Sequence, residues 1–368
     1  MRDERDERGE QNGQGGRAGA MDVMGVGTVA MDVTQRVDEL PTDDGFALVR
    51  EAASAPGGSA ANVVVQAARL GAACGFAAAV GDDEAGRAFV RGFVDEGVGV
   101  AGLVTRPHAT TTRATVTVAD DGAHFVTLDM GTAFFTLRPD ELPVDAIRTA
   151  RVLYTDLLPR DASLAALRVA RDAGVRTVVG VEVGLPLMRA FGWDDDALRE
   201  ALSLADTALP CRAALAGLVG DQDDAGPSAA HGIDADADIV RRRAIALLVQ
   251  TGAGEVVVTR GADGAVGVRH REGGRDGGHA VGGGEQRAAD DGNVEVVEVP
   301  AAAHPVGMRV TDTTGAGDSF AGAYLVARHL QGRDLRSSMA YAARCAARTV
   351  CGHGARSFPT VEDCPLPD

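Results

Sequence analysis

The chain has 368 residues with 45% hydrophobic and 24% charged side chains, which excludes a collagen-like or wholly disordered polymer and leaves room for one large or two ordinary domains. Acidic residues outnumber basic ones 53 to 36, a net charge of −17, so small molecules are the expected partners and nucleic acid and membrane are not. Every basic residue is Arg, and without a Lys the chain cannot build the GK[ST] phosphate loop.

Residues 1–20 are charged and Gly-rich with almost no large apolar side chains, a composition read as a disordered tail. They lack the apolar core of a signal peptide, and no apolar run in the chain nears the 18 or so residues of a membrane span, so a cytoplasmic location is expected. Five scattered cysteines without a CxxC pair argue for reduced thiols and against a structural zinc site. Apolar strand-like runs then alternate with helical stretches. Helices are predicted near 60–70, 84–96, 161–173, 194–204 and 237–251 and after 317 and 334, and strands near 73–80, 151–155, 175–183 and 255–259. Such βαβα alternation predicts an α/β fold: a doubly wound, mainly parallel sheet with helices on both faces. Residues 110–130 instead alternate with period two around Asp121-Gly122, the pattern of a half-exposed antiparallel hairpin and a candidate lid. Residues 221–236 and 272–293 have the composition of flexible surface insertions.

Two segments carry chemistry. In Thr311 to Leu325, TDTTGAGDSFAGAYL, a strand ending near Val310 is expected to run into Gly315-Ala316-Gly317-Asp318 and a helix whose Ala321, Gly322 and Ala323 allow close packing. Glycines there let successive N–H groups face an anion at the helix start, and Asp318 stands ready to take a proton from an attacking hydroxyl. The plain alternative is a tight turn with an N-capping Asp. In Pro56 to Gly71, PGGSAANVVVQAARLG, two glycines again precede a helix, with Ser59 as the expected N-cap and Asn62 one turn inside. Asn62 can donate and accept hydrogen bonds to hydroxyls; the alternative is a surface Asn on an ordinary capped helix.

With GGSAANVVVQAARLGAACGFAAAVGDDEAG over 57–86 and DTTGAGDSFAGAYL over 312–325, in this order and separation, the chain resembles the ribokinase (PfkB) family of carbohydrate and nucleoside kinases. The likeness spans about residues 22–360. It implies a ribokinase-like kinase domain over 21–365 with lid strands near 33–50 and 110–130. It also implies ATP-dependent phosphorylation of an alcohol on a small sugar or sugar derivative, a ketose among them. The resemblance makes Asp318 the catalytic base and Gly315, Ala316 and Gly317 the anion hole. Asp32, Gly58 and Asn62 match substrate contacts; Asp32 read alone is equally a strand-end carboxylate. Arg113, in the lid hairpin, matches an Arg that meets an anionic substituent in some relatives, or it points to solvent. Thr259, Gly261, Gly264, Gly352, Gly354 and Ala355 match segments that enclose the nucleotide. Asp312 and Thr314 match positions that help bind a monovalent cation, K⁺.

Two departures concern Mg²⁺. The family's frequent Asn-x-x-Glu reads Cys211-Arg212-Ala213-Ala214, and its Asp-x-Asn reads Gly180-Val181-Glu182, which leaves Glu182 as the acid near the metal or as a loop carboxylate. With 4% aromatic residues a sugar is favoured over a nucleoside. A nucleoside kinase and a catalytically silent sugar- or nucleotide-binding protein are the alternatives. A homodimer through exposed lid strands is a further expectation.

Overall fold

The computed structural model describes residues 21–120, 123–220, 237–271 and 293–366. The amino-terminal half runs β1 (Val23–Val26), β2 (Ala30–Val37), β3 (Glu51–Gly57), α1 (Ser59–Arg69), β4 (Cys74–Gly81), α2 (Glu84–Asp95), β5 (Gly99–Arg106), β6 (Arg113–Ala119) and β7 (His124–Asp129). Next come α3 (Val144–Thr149), β8 (Val152–Thr155), α4 (Arg160–Asp172), β9 (Arg176–Val181), α5 (Leu185–Ala190), α6 (Asp195–Ser203), β10 (Thr207–Pro210) and α7 (Arg212–Val219). The chain closes with α8 (Ala237–Thr251), β11 (Glu255–Thr259), β12 (Ala265–His270), β13 (Val294–Val299), α9 (Ala316–Leu325) and α10 (Leu335–Thr349).

Nine strands form the main sheet in the order β13-β12-β11-β10-β9-β8-β1-β4-β5, parallel from β11 to β5 and antiparallel at β12 and β13. β1, β4, β8 and β10 are buried at every residue, as parallel strands covered on both faces must be. Alternate strand residues feed two cores. Val23, Phe76, Tyr154 and Val178 meet α1, α2, α9 and α10, whereas Met24, Ala77, Leu153 and Val179 meet α4, α6 and α8. On the first face Phe93 of α2 meets Phe76 edge-on and Phe89 at a tilt, with ring centroids 5.3 and 4.5 Å away. Each such fully buried ring contributes roughly 1.5–3 kcal/mol. From β1 the chain returns by α1 and α2 to β4 and β5 on one side, and then crosses to β8–β11 on the other. The topological switch therefore lies between β1 and β8, where open α/β sheets bind ligands at their carboxyl ends.

A second sheet, ordered β3-β2-β6-β7, grows from the carboxyl end of β1 and contains the antiparallel β6–β7 pair expected from the period-two pattern. Three local expectations are corrected. The lid strands expected at 33–50 lie instead at Ala30–Val37 and Glu51–Gly57; Pro41, Asp43, Asp44 and Gly45 make 38–50 a loop. No strand ends near Val310, because Pro300, Pro305 and Gly307 break 300–315 into irregular chain after β13. Ser59 is not an N-cap: Gly58, at φ 96°, takes that position with no side-chain cap. The hairpin turn at 121–122, the tail at 1–20, the insertion at 221–236 and all but the last residue of 272–293 lie outside the described residues. All five cysteines are free thiols.

Candidate active site

The two motif helices meet face to face because α9 carries Gly322 where α1 passes. A Cβ at Gly322 would stand 2.6 Å from the Val63 carbonyl oxygen and 2.7 Å from the Gln66 side chain. Buried polar groups then fix the pairing. Thr349 donates to Ser319 (2.8 Å), Ser319 donates to the Gln66 amide oxygen (2.9 Å), and the Gln66 amide nitrogen donates to the Pro359 carbonyl (3.1 Å). In a low-dielectric core such a network sets one register, since any slip leaves groups unpaired. Its consequence is that Asn62, one turn into α1, donates from Nδ2 to Oδ2 of Asp318 at 2.8 Å although 256 residues separate them.

Asp318 stands in the first turn of α9, whose N-cap, Gly315, has φ 79°. Only Gly is at ease there, and a Cβ would also collide with the Ala355 carbonyl. Ala316 N–H reaches the Thr313 carbonyl (3.3 Å) and Ser319 N–H closes the first helical bond to Gly315 (2.8 Å). The N–H groups of Gly317 and Asp318 remain outside the helical ladder at the positive end of the helix dipole. Ala316 and Gly317 also line a pocket of about 520 Å³ with Thr259, Gly261, Gly264 and Val350. Its walls are largely apolar, as a nucleotide base requires. The pocket thus joins Thr259, Gly261 and Gly264 to the turn that opens α9. Gly352, Gly354 and Ala355 are not among its lining; Ala355 packs behind the Gly315 turn, and Gly354 N–H donates to Asp312 (3.0 Å). Asp312 also accepts from Thr314 N–H (2.9 Å). Burial pulls the Asp312 pKa upward, but these hydrogen bonds outweigh it and hold the carboxyl low. Both residues fasten the loop by contacts within the chain.

Around Asp318 gather three further carboxylates. Asp32 projects from β2 over Gly57, where a Cβ would overlap its carboxylate, and burial lifts its pKa to about 6 against the pull of Arg356. Gly58 packs against the loop after β1, its Cβ position 2.7 Å from the Thr28 carbonyl. Asp156, 3% exposed just past β8, accepts from Thr28 N–H (3.2 Å), the Thr28 hydroxyl, Ala60 N–H (3.3 Å) and Leu158 N–H (3.3 Å). It thereby ties β1, β8 and the start of α1 together at the switch point. Burial raises it to about 6 despite those donors. Glu182, after β9, is pushed to about 8 by burial and by the charges of Asp318 and Asp156, and Tyr154 donates to it at 3.3 Å. Asp318 itself rises to about 6, through burial and the nearby Asp32 and Asp156 charges, against the Asn62 hydrogen bond and Arg356.

Asp156 and Arg356 escaped the sequence reading. The only signal for Asp156 was its place at the carboxyl end of a buried strand, and for Arg356 its place next to Ala355. Arg113 does not join the cluster. Strand register pairs it with Met31 and pairs Ala114 with Asp32, which puts it on the opposite face of the lid sheet; its guanidinium lies 4.0 Å from Asp83, and the side chain is 52% exposed. Cys211, where the family's Asn would stand, is the N-cap of α7, its sulfur accepting from Ala214 N–H at 3.4 Å. No group of three or more His, Cys, Asp and Glu close enough to hold a metal ion occurs among the described residues. A cluster of raised, oxygen-only donors nonetheless fits Mg²⁺, which is commonly held by one or two carboxylates together with substrate phosphates. Glu182 is the residue that would hold it.

A profile described as pfkB family carbohydrate kinase matches residues 20–362. An ATP-dependent ribose-1-phosphate kinase of Halopiger xanaduensis is 30% identical over 343 residues, 92% of this chain and 95% of the relative. Probable fructokinase-5 of Arabidopsis thaliana is 27% identical over 89% of this chain and 93% of its own length. The structure of Arabidopsis thaliana ribokinase complexed with ribose and ATP has the same fold, with a TM-score of 0.71 at 19% identity over 94% of this chain and 97% of that one. Profile, relatives and fold agree with the paired motifs: the chain belongs to the pfkB family of carbohydrate kinases.

Proposed function

We propose that the protein transfers the γ-phosphoryl group of ATP to an alcohol of a small sugar or sugar phosphate, with Asp318 as the base. The observation that carries this is the Asn62–Asp318 contact, one residue beyond Ala316 and Gly317, which line an apolar pocket. A nucleotide seated among Thr259, Gly261, Gly264 and Val350 directs its phosphates toward the Gly317 and Asp318 N–H groups, which offset the charge that develops on the transferred group. The sugar lies between the lid and α1, held by Asp32 and Asn62. Asp318 takes the proton of the attacking hydroxyl while the γ-phosphoryl bond to the nucleotide breaks. Mg²⁺, when bound, neutralises phosphate charge. Closure of β2, β3, β6 and β7 over the sugar keeps water from competing as acceptor.

The ribose-1-phosphate kinase and fructokinase relatives support a pentose or hexose acceptor over a nucleoside. Location in the cytoplasm and a role for K⁺ belong to the same reading. So does dimerisation through the lid, supported by the exposed Phe125, Val126 and Leu128 on its edge strand β7. ADP release with ATP and Mg²⁺ is to be measured across ketoses, aldoses, pentose phosphates and nucleosides, with Asp318→Asn as control. A sugar-dependent signal that the control loses supports the proposal. Release only with nucleosides replaces its substrate class, and binding of ATP and sugar without any ADP release replaces it with a silent binding protein.

A further inference from the structure

We propose that Arg356 is a positioning residue for the base: it locks the Asn62 amide in the one orientation that donates to Asp318, and it is the cation that balances the acidic cluster. The proposal rests on the reading of Asp318 as base. Its geometry is a relay. The Arg356 Nε–H donates to Oδ1 of Asn62 at 2.8 Å, and Nδ2 of Asn62 donates to Oδ2 of Asp318 at 2.8 Å. Flipping the amide would set its oxygen against a carboxylate and its nitrogen against a guanidinium, so both contacts must break together. Asn62 is 3% exposed. With its oxygen taken by Arg356 and one N–H by Asp318, a single N–H remains for substrate, so Asn62 reads an acceptor oxygen on the sugar.

Arg356 is itself held from three sides. Its guanidinium carbon lies 5.9 and 5.7 Å from the ring centres of Phe89 and Phe93 on α2. Its carbonyl accepts from Arg69 on α1 (2.8 Å), which also donates to the Phe358 carbonyl (3.0 Å) and pairs with Glu96 at the end of α2 (2.6 Å). The charged and titratable groups that face Arg356 are Asp32 and Asp318 in the site and Glu96 and Arg69 behind it. Those that face Asp318 are Asp32 from β2, Asp156 after β8, Glu182 after β9 and Arg356. Arg356 is the cation that lowers both Asp32 and Asp318. Its Nη2 is buried without a hydrogen-bond partner, so the carboxylate field and the two rings are what keep it in place.

The test needs no substrate. Arg356→Met fills the same space over the two rings while removing the charge and the N–H donor, and Arg356→Gln is the second variant should the first not fold. Urea unfolding of the full chain is followed at pH 5 and pH 8, in the wild-type and Asp318→Asn backgrounds. The loss in unfolding equilibrium constant should be about tenfold greater at pH 8, where the carboxylates are ionised, than at pH 5. That excess should shrink by at least half beside Asp318→Asn, the remainder being owed to Asp32, and Arg356→Lys should restore most of it. A loss equal at both pH values, or one that Asp318→Asn leaves unchanged, would mean that Arg356 merely packs, and the proposal falls. Full turnover by Asp318→Asn would sink the base assignment instead; the pH comparison distinguishes the two failures.

Discussion

Asp318→Asn should cut turnover sharply and make the protein more stable, and the two effects come from one cause. Burial and the Asp32 and Asp156 charges raise the Asp318 carboxyl from 3.8 to about 6, so the ionised form is the one the fold disfavours. A group raised in the folded state costs nothing below its ordinary pKa and costs most once pH passes the folded value. Two pK units at about 1.4 kcal/mol each set a ceiling of about 3 kcal/mol above pH 6. Water reaching the half-buried carboxylate trims this to about 1–2 kcal/mol. The amide is neutral and its oxygen still accepts from Asn62, so the variant should melt a few degrees above wild type at pH 8 and with it at pH 4. In the same samples kcat should fall about 100- to 10,000-fold, the usual range for a lost general base. The wild-type rate should fall as pH drops through about 6, where the base takes up its proton. A variant that melts lower than wild type at pH 8 would refute the electrostatic reasoning, and one with near-normal kcat the catalytic assignment.

Three further outcomes are expected. Gly322→Val should drive α1 from α9, since its branched side chain meets the Val63 carbonyl, and ADP release should fall at least tenfold although residue 322 touches neither substrate. Asp156→Ala leaves the N–H groups of Thr28 and Leu158 without their acceptor; urea unfolding should show a loss of about 2–3 kcal/mol at pH 5, less at pH 8 where a raised carboxylate is also removed. Because Glu182 sits near 8, Mg²⁺ binding at pH 7 should release a proton and tighten as pH rises. In Glu182→Gln, calorimetry with Mg²⁺ and ATP in buffers of different ionisation heat should find that proton missing, and an unchanged proton count would exclude Glu182 from the metal.

What was legible in the sequence was whatever leaves a local mark. The alternation of buried strands and amphipathic helices carries the sheet because its period is short, and the period-two stretch at 110–130 carries β6 and β7 for the same reason. Gly315 and Gly58 are visible because a left-handed backbone needs Gly at that spot. The strand expected near Val310 failed because two scattered apolar residues, Met308 and Val310, say nothing without the proline and glycine before them. Partnership across long separations left no trace. Asp156 reads as one more Asp after a strand, and only the fold reveals that it holds two backbone N–H groups 96 and 128 residues away. For Arg113 the sequence left two readings, a substrate contact or a lid charge facing solvent, and strand register, which flips a side chain with every residue, puts it on the face opposite Asp32.

The same cluster explains why the lost Asn-x-x-Glu does not empty the site of acid. Asp32, Asp156, Asp318 and Glu182 converge on the carboxyl ends of β1, β8 and β9, and Arg356 is the cation that acts on Asp32 and Asp318. Burial pushes all four upward, and neighbouring carboxylates add to it for two of them: Asp318 and Asp156 for Glu182, Asp32 and Asp156 for Asp318. Such a site is unfavourable when empty and relaxes when cations enter. Raised carboxylates therefore favour binding of a metal-nucleotide over free nucleotide, whose phosphates they repel. For the proposed base, Asp318, the raised carboxyl has a second benefit: near 6 it is ionised at neutral pH yet more basic than an ordinary Asp. Removing any one acid should lower the pKa of those that remain, so the acid limb of the rate profile in Glu182→Gln should move below that of wild type even where kcat survives. A limb that stays near 6 would mean that burial alone sets the base, and that the carboxylates act independently.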